Sequence, residues 1–280
     1  MTSVAVVTGG AGSMGAACAI VLASQVDVVL LTDINAHRLA TVAQEIRSTT
    51  NTTIVTIVGD LSDPTFAGVL ATNTASLGEL RAVAHTAGLS PTMADWKEIL
   101  AVDLVASARL VDAFLPLVCS GSVAVCVASV SGHMGEFDSA MDEVLDDPLA
   151  VELYDRFAAA AGGEPDPGNT YRLAKRGVIR LCRRAAVAWG AHGGRVVSLS
   201  PGLIDTEMGR LELEHQPIKA WLADITPVGG GRAGSEVVLP GQISDIADTI
   251  AYLCSERAAF ISGCDILVDG GLLAALQHHS

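Results

Sequence analysis

The sequence has few aromatic and few basic residues, and both scarcities exclude classes of protein. Phe, Trp and Tyr make up 4% of the 280 residues, so a core must be packed mainly from Ala, Val and Leu. Asp and Glu number 31 against 17 Lys and Arg, which gives a formal net charge of -14. Nucleic acids and anionic membrane surfaces would repel such a chain, so we expect neither as a partner.

Long apolar runs and paired cysteines are also absent. No run reaches the 18 or so apolar residues of a membrane-spanning helix, and no basic segment typical of a signal peptide precedes the first apolar run. The cysteines show no C-x-x-C spacing, which predicts reduced, buried thiols and no metal site. We therefore expect a cytoplasmic protein. The six are Cys18, Cys119, Cys126, Cys182, Cys254 and Cys264.

Short apolar runs alternate with longer helical patterns along the whole chain. This alternation predicts βαβ units and a parallel sheet with helices on both faces, in a single α/β domain over 1–280. Asp63-Pro64 is typical of a helix N-cap followed by a first-turn proline, and the predicted helix runs to about Leu77. The predicted strands are Val4–Val7, Val28–Leu31, Thr53–Val58, Arg81–His85, Val123–Ala128, Arg195–Leu199 and Asp265–Val268.

A glycine-rich stretch follows the first predicted strand and precedes a predicted helix over Ala16 to Ala23. Gly10, Gly12 and Gly15 fit the pattern G-x-G-x-x-G. Such a turn lets a pyrophosphate approach the backbone and the helix N-terminus. The alternative is an ordinary structural turn.

Acidic and small residues follow the next strands at the same predicted edge of the sheet. Asp33 follows Gly15 by 18 residues, where a carboxylate accepts hydrogen bonds from the ribose of NAD and repels the extra phosphate of NADP. No Arg or Lys stands beside the glycine turn, so we expect NAD as cofactor. The alternative for Asp33 is a helix cap. Ile34, Asp60, Leu61, Ala87 and Gly88 end the second, third and fourth predicted strands.

Tyr171 and Lys175 stand four residues apart in a helical pattern that begins near Thr170. This spacing places both on one helix face. A neighbouring ammonium should lower the pKa of the phenol and make the pair an acid/base unit. Ser129 ends the fifth predicted strand, where its hydroxyl can bind a substrate oxygen. The alternative for the pair is a solvated helix face.

Together these motifs resemble the short-chain dehydrogenase/reductase family over nearly the whole chain. Further markers are His85-Thr86-Ala87-Gly88, the stretch from Pro201 to Thr206, and the ending Ile261 to Gly271. The resemblance implies a seven-stranded sheet of Rossmann type, Tyr171 as proton donor or acceptor, Ser129 as carbonyl polariser and Lys175 as holder of the nicotinamide ribose. The implied cofactor-binding residues are Gly9, Gly12, Ser13, Met14, Gly15, Asp33, Ile34, Asp60, Leu61, Ala87, Gly88, Tyr171, Lys175, Pro201, Gly202, Ile204 and Thr206.

Three positions depart from the usual family pattern. Ser13 replaces the middle glycine of the turn, His85 replaces an asparagine, and Asp103 stands where the family usually completes a proton relay with Asn. An internal, hydrogen-bonded role is expected for His85. An ionised Asp only accepts hydrogen bonds, so the relay through Asp103 is intact, shifted in its pH range, or absent.

The separation of 42 residues between Ser129 and Tyr171 is wider than in most members of the family. It resembles the 3α-hydroxysteroid dehydrogenase/carbonyl reductase subgroup, which carries a similar insertion. Here the insertion spans about 132–168, with a possible helix over Leu149–Ala161, and it either blocks a contact between subunits or roofs the active site. The resemblance implies a homodimer or homotetramer that uses the helices containing Asp103 and Tyr171, and a substrate lid over about 207–240.

These observations predict an NAD-dependent oxidoreductase that interconverts a secondary alcohol and a ketone, on a small hydrophobic or steroid-like substrate. One alternative is a non-catalytic NAD-binding redox sensor or scaffold, which Asp103 and the altered glycine turn would suit. Another is lyase or epimerase chemistry with retained NAD, which rests only on the spacing of the glycines.

Overall fold

The computed structural model describes residues 1–136, 138–229 and 239–279, and its seven strands form one parallel sheet. The strand order is β3-β2-β1-β4-β5-β6-β7, so the order reverses between β1 and β4. The prediction of a doubly wound α/β sheet of Rossmann type is confirmed. The strands are β1 (Ser3–Thr8), β2 (Val28–Asp33), β3 (Thr53–Val58), β4 (Glu79–His85), β5 (Val123–Val127), β6 (Arg195–Pro201) and β7 (Asp265–Val268).

The central strands end at the same level, which brings the residues after them to one edge of the sheet. Thr8 at the end of β1 pairs with Thr32 of β2 and with His85 of β4. Ligands bind where the strand order of such a sheet reverses, outside the carboxyl ends of the strands. The glycine turn after Thr8 therefore lies at the expected site.

Helices cover both faces of the sheet. They are α1 (Ser13–Leu22), α2 (Ala36–Thr49), α3 (Phe66–Leu77), α4 (Trp96–Ile99), α5 (Ala106–Phe114), α6 (Ser139–Leu145), α7 (Leu153–Ala160), α8 (Pro167–Ala191), α9 (Glu207–His215), α10 (Ile218–Ile225), α11 (Ile243–Cys254) and α12 (Leu272–His279), and a π-helical segment, Leu100–Val105, joins α4 to α5. A core on one face joins the sheet to α3, α5 and α8, and a second core on the other face joins it to α1, α2 and α11.

Local sequence explains most helix boundaries, but the predicted helix cap at Asp63 is wrong. The side chain of Asn35 accepts a hydrogen bond from Arg38 N and caps α2. Asp63 caps no helix, because its carboxylate accepts the N–H and the hydroxyl of Thr65 in a tight turn, both at 2.8 Å. The helix was predicted to begin at Pro64, after a cap at Asp63, but it begins at Phe66.

The insertion contains two helices instead of the single helix predicted over Leu149–Ala161. Asp138 caps α6, whose Asp142 forms a two-pronged ion pair with Arg176 of α8, with both N–O distances at 2.6 Å. In α7, the buried ring of Phe157 stacks on Trp96 of α4 with centroids 6.0 Å apart. Both helices of the insertion thus lie against the helices that were expected to mediate subunit contacts.

The predicted lid is described over 207–229 and 239–240, and 230–238 lie outside the described residues. A third apolar cluster joins Leu222 of α10 to Leu272 of α12 and to Val130, which follows Ser129. Leu213 and Ile225 pack against this cluster, as an apolar lid face predicts. Trp221, in contrast, is 45% exposed.

The six cysteines are free thiols, and Cys119 and Cys264 are partly exposed whereas the other four are buried. Among the described residues, no helix is long and apolar enough to cross a membrane. Within the same ranges, no group of His, Cys, Asp and Glu side chains is suited to hold a metal ion.

Candidate active site

The glycine turn fits tightly against the end of β4. Gly9 has a φ of +67°, a left-handed conformation that glycine tolerates well. A Cβ at Gly9 would lie 2.8 Å from Ala87 N, and a Cβ at Gly15 would collide with the carbonyl oxygen of Gly9. Gly12 N–H donates to the same carbonyl at 2.9 Å. Side chains are thus excluded from the turn, so a ligand can reach its backbone.

The N-terminus of α1 opens into a cleft of about 480 Å³. Among the described residues, no side chain caps this helix, so the first N–H groups, from Ser13 to Gly15, remain available for an anion. Met14 packs into the core below them. The turn and the uncapped helix fit the pyrophosphate of a dinucleotide. The cleft is lined by Ser13, Asp205, Thr206, Glu207, Arg210, Leu211, Glu214 and Ile243.

Asp33 at the end of β2 lies directly beside the glycine turn. Its Oδ2 accepts Ala11 N–H at 3.0 Å and its Oδ1 accepts Asn35 N–H at 2.9 Å. The cap of α2 is Asn35, so the alternative of Asp33 as a helix cap is wrong. Each carboxylate oxygen has a second lone pair, which leaves room for a ribose hydroxyl. Ile34, next in the chain, is 68% exposed.

The candidate residues after β3 lie in a turn of their own. Asp60 Oδ1 accepts Ser62 N–H at 2.8 Å, and Leu61 packs against the first core. This turn follows the strand next to β2, which places it farther along the same sheet edge than Asp33.

The end of β4 connects the glycine turn to the residues predicted to be catalytic. Thr86 donates its hydroxyl hydrogen to Thr8 O at 2.7 Å. A Cβ at Gly88 would lie 3.0 Å from Asp103 Oδ1 and 3.1 Å from Lys175 Nζ. Ala87 and Gly88 therefore stand between the predicted phosphate site and Lys175.

The residues that end and follow β6 were also predicted to bind the cofactor. Pro201 is the last residue of β6, and Gly202 follows it with its N–H donated to Val268 O at 3.0 Å. Ile204 is buried, and Thr206 caps α9 by accepting Gly209 N–H at 2.9 Å. Because Thr206 lines the same cleft as Ser13, the structure brings the two predicted ends of the cofactor site together.

Tyr171 and Lys175 lie on one face of α8, which begins at Pro167 rather than near Thr170. Lys175 Nζ lies 5.5 Å from the centre of the Tyr171 ring and donates to Val127 O at 3.3 Å. The Ser129 hydroxyl lies close enough to the phenol of Tyr171 to favour the ionised form of the phenol. The three side chains predicted to be catalytic are thus brought together at the end of β5.

The expected lowering of the pKa of Tyr171 is wrong for this structure. Burial raises the pKa of its phenol, and the negative charges of Glu212 and Asp103 raise it further, whereas the nearby hydroxyl of Ser129 acts in the opposite direction. The prediction considered Lys175 alone. Two carboxylates from distant parts of the chain, together with burial, outweigh it.

Asp103 and His85 are both buried under this site. Asp103 Oδ1 accepts Leu89 N–H at 2.8 Å, and its Oδ2 lies 3.8 Å from Lys175 Nζ. Burial raises the pKa of Asp103, whereas the charge of Lys175 lowers it. His85 is hydrogen-bonded to Thr8 and Ser107 at 2.7 and 2.8 Å, and burial lowers its pKa to about 3. His85 is therefore a neutral, internal histidine, as expected.

Charged residues of α9 are the part of the site that sequence reasoning missed. Glu212 is buried and pairs with Lys219 at 3.0 Å, and Glu207 pairs with Arg38 of α2 at 2.9 Å. The resemblance implied a lid over this stretch but gave none of its charged residues a role. Glu212 lies in α9 and Lys219 in α10, so no helical spacing relates the two and the sequence gives no signal for their pairing.

Comparisons with known proteins agree with this geometry. The family model described as "short chain dehydrogenase" matches residues 3–141, and the one described as "Enoyl-(Acyl carrier protein) reductase" matches residues 156–273. The chain is 31% identical over 217 residues to short-chain dehydrogenase/reductase bsc3 of Alternaria brassicicola, covering 72% of each chain.

Two further proteins are similar in sequence or in fold. The chain is 29% identical to the 3-alpha-hydroxysteroid dehydrogenase/carbonyl reductase of Comamonas testosteroni, over 68% of this chain and 72% of the other. A short-chain type dehydrogenase/reductase from Mycobacterium ulcerans has the same fold, with a TM-score of 0.76 and 21% identity over 98% of this chain and 90% of its own.

Proposed function

This chain belongs to the short-chain dehydrogenase/reductase family, and we propose that it is an NAD(H)-dependent oxidoreductase that interconverts a secondary alcohol and a ketone. The observation that carries this proposal is that Lys175 Nζ lies 5.5 Å from the centre of the Tyr171 ring and donates to Val127 O, two residues before Ser129 at the end of β5. The family uses nicotinamide cofactors. A bound nicotinamide supplies or accepts the hydride.

The protein's own part in the reaction is to bind the substrate oxygen and to move one proton. In reduction, Ser129 and Tyr171 donate hydrogen bonds to the ketone oxygen, and the phenol gives up its proton as the hydride reaches the carbon. In oxidation, the alcohol O–H bond breaks and its proton goes to the phenolate oxygen of Tyr171. Because the pKa of Tyr171 is raised, the phenol is protonated at neutral pH, and oxidation should accelerate as pH rises.

NAD is proposed over NADP because Asp33 presents a carboxylate beside the glycine turn. Its hydrogen bond to Ala11 N–H fixes the carboxylate next to the turn. A phosphate on the ribose hydroxyl would meet this negative charge. Pro201, Gly202, Ile204 and Thr206 are proposed to hold the nicotinamide end, since they follow one another from the end of β6 and Thr206 lines the cleft that Ser13 reaches.

An apolar ring substrate and a homodimer complete the proposal. The apolar cluster of Val130, Leu222 and Leu272 lies next to Ser129 and suits a hydrophobic ring. The insertion covers parts of α4 and α8, so a second copy is proposed to dock on another face.

Tyr171→Phe tests the proposed acid/base role. The variant removes only the hydroxyl, so we expect turnover to fall at least about a thousandfold while NADH affinity changes less than threefold. The assay follows NADH absorbance with a panel of ketones and secondary alcohols, and NADH fluorescence reports binding. Tyr252→Phe is the matched control, because Tyr252 lies 41% exposed on α11.

Full activity in Tyr171→Phe would refute the assigned role. If the wild type binds NADH but turns over nothing in a broad panel, the non-catalytic alternative is favoured instead.

A further inference from the structure

The only buried side chain of α9 among the described residues is a glutamate. Glu212 is 9% exposed, whereas its neighbour Leu211 is 36% exposed. Helices usually bury leucine and expose glutamate, because a carboxylate loses its hydration when it is buried. In α9 the glutamate is buried and the neighbouring leucine is exposed, and this reversal of the usual pattern needs a cause beyond packing.

Lys219 supplies part of that cause. Its Nζ lies 3.0 Å from Glu212 Oε2, and the two side chains are 21% and 11% exposed. Such a pair satisfies the charges, but two apolar side chains of similar size would fold at least as well in many proteins. The ion pair thus explains how Glu212 can be buried, but it does not explain why a glutamate and not an apolar residue stands at this position.

The position of Glu212 points to the substrate site. Leu213, next in the chain, packs on the third apolar cluster, which contains Val130 beside Ser129. Independently, the charge of Glu212 is close enough to the phenol to raise the pKa of Tyr171. The carboxylate therefore lies within electrostatic reach of Tyr171, on a helix that packs against the apolar cluster next to Ser129.

We propose that Glu212, held by Lys219, determines substrate specificity by accepting a hydrogen bond from a second hydroxyl group on the substrate, away from the reacting carbon. This inference rests on the proposed alcohol/ketone reaction and narrows its substrate class to neutral hydroxylated ring ketones and their alcohols. An ionised carboxylate only accepts hydrogen bonds, and each of its two oxygens has two lone pairs, so the contact of Oε2 with Lys219 leaves Glu212 able to accept another.

The same charge disfavours substrates that carry a carboxylate. Lys219 is already balanced by Glu212, and the two side chains are only 21% and 11% exposed. An anionic group that reached the Glu212 carboxylate would meet its negative charge with little water to screen it.

The test compares ketones built on three ring systems. Each ring ketone is used in three forms: unsubstituted, with a hydroxyl group away from the carbonyl carbon, and with a carboxylate away from the carbonyl carbon. The rings are cyclohexanone, decalone and a 3-ketosteroid, and reduction is followed by NADH absorbance. In the wild type we expect the hydroxylated ketone to exceed the unsubstituted one in kcat/KM by about 10- to 100-fold, as a charge-assisted hydrogen bond predicts. Most of the effect should lie in KM.

Glu212→Gln should reduce that preference about tenfold and improve kcat/KM for the carboxylated ketone by a similar factor, with the unsubstituted ketone little changed. Asp224→Asn removes the same charge from an exposed position of α10, the helix that carries Lys219, and should leave both preferences unaltered. NADH binding and thermal unfolding check that each variant is folded. If Glu212→Gln fails to fold, the double variant Glu212→Met/Lys219→Met, which leaves neither charge unpaired, takes its place.

Equal preferences in the wild type and in Glu212→Gln, with turnover retained, would overturn this inference while the proposed function stands. If no ketone is turned over by the wild type, the proposed function fails and this inference fails with it.

Discussion

Replacing Asp103 with Asn should change how the stability of the protein depends on pH. Asp103 is 1% exposed, and among the described residues its Oδ2 has no hydrogen-bond partner, with Lys175 Nζ at 3.8 Å. Asn has almost the same shape, and its oxygen can keep the 2.8 Å hydrogen bond from Leu89 N–H. The substitution thus removes the titratable group and little else.

The sign of the effect follows from the raised pKa of Asp103. Burial raises it above the ordinary value of 3.8, against the opposing effects of Lys175 and Leu89. The folded protein then binds this proton more tightly than the unfolded chain does. The resulting stability is fully present below the unfolded pKa and is lost as pH rises through the folded pKa.

The magnitude is about 1.4 kcal/mol for each pH unit between the unfolded and the folded pKa. Relative to Asp103→Asn, the wild type should therefore lose unfolding free energy at this rate as pH rises above about 4, and the difference should level off beyond the folded pKa. Urea unfolding followed by tryptophan fluorescence, at half-unit steps from pH 4 to 8, measures it. Both proteins share all other titratable groups, so those contributions cancel.

Asp142→Asn is the control with the opposite sign. Its hydrogen bond with Arg176 lowers the pKa of Asp142, so the stability that it contributes is lost as pH falls. The deficit of Asp142→Asn relative to the wild type should be constant from pH 4 to 8 and should shrink only below about pH 4, where two added steps at lower pH measure it. A constant difference between the wild type and Asp103→Asn from pH 4 to 8 would show that Asp103 has an ordinary pKa and would refute the reasoning.

Two further substitutions test the cofactor side. Gly15→Ala should weaken NADH binding at least tenfold and lower the unfolding free energy by about 1–3 kcal/mol, because the new Cβ would collide with the Gly9 carbonyl oxygen. In the control Gly68→Ala, in α3, the new Cβ has no atom within 4 Å, so this variant should be neutral or stabilising. Fluorescence titration measures NADH binding and thermal unfolding measures stability. Asp33→Ser should lower the ratio of kcat/KM for NAD(H) to that for NADP(H) at least tenfold, and an unchanged ratio would remove Asp33 from the specificity argument.

The sequence alone predicted the sheet and the location of the candidate site. Each strand is a short apolar run, and its polar or glycine-containing end is visible in the chain. Parallel strands bring those ends to one edge, so the glycine turn, Asp33 and Ser129 could be assigned to one crevice before any contact was known. Tyr171 and Lys175 followed from the period of a helix.

Local signals were less reliable where two interpretations compete. Asp63-Pro64 has the residues of a helix start, yet the carboxylate closes a turn on Thr65 and the helix begins at Phe66. No helix was predicted at α6, whose acidic residues gave no sequence-local sign of a partner. Those residues pair with Arg176 and Arg180 of α8, 34 residues away along the chain.

Charge and burial at the site were decided only by the tertiary structure. The pKa of Tyr171 depends on Glu212 and Asp103, and the burial of Glu212 depends on Lys219 and on the packing of Leu213. A sequence pattern specifies period and turn, because these arise between residues a few positions apart. The electrostatic environment of a side chain is the sum over everything that folding brings near it, and that sum exists only in the folded chain.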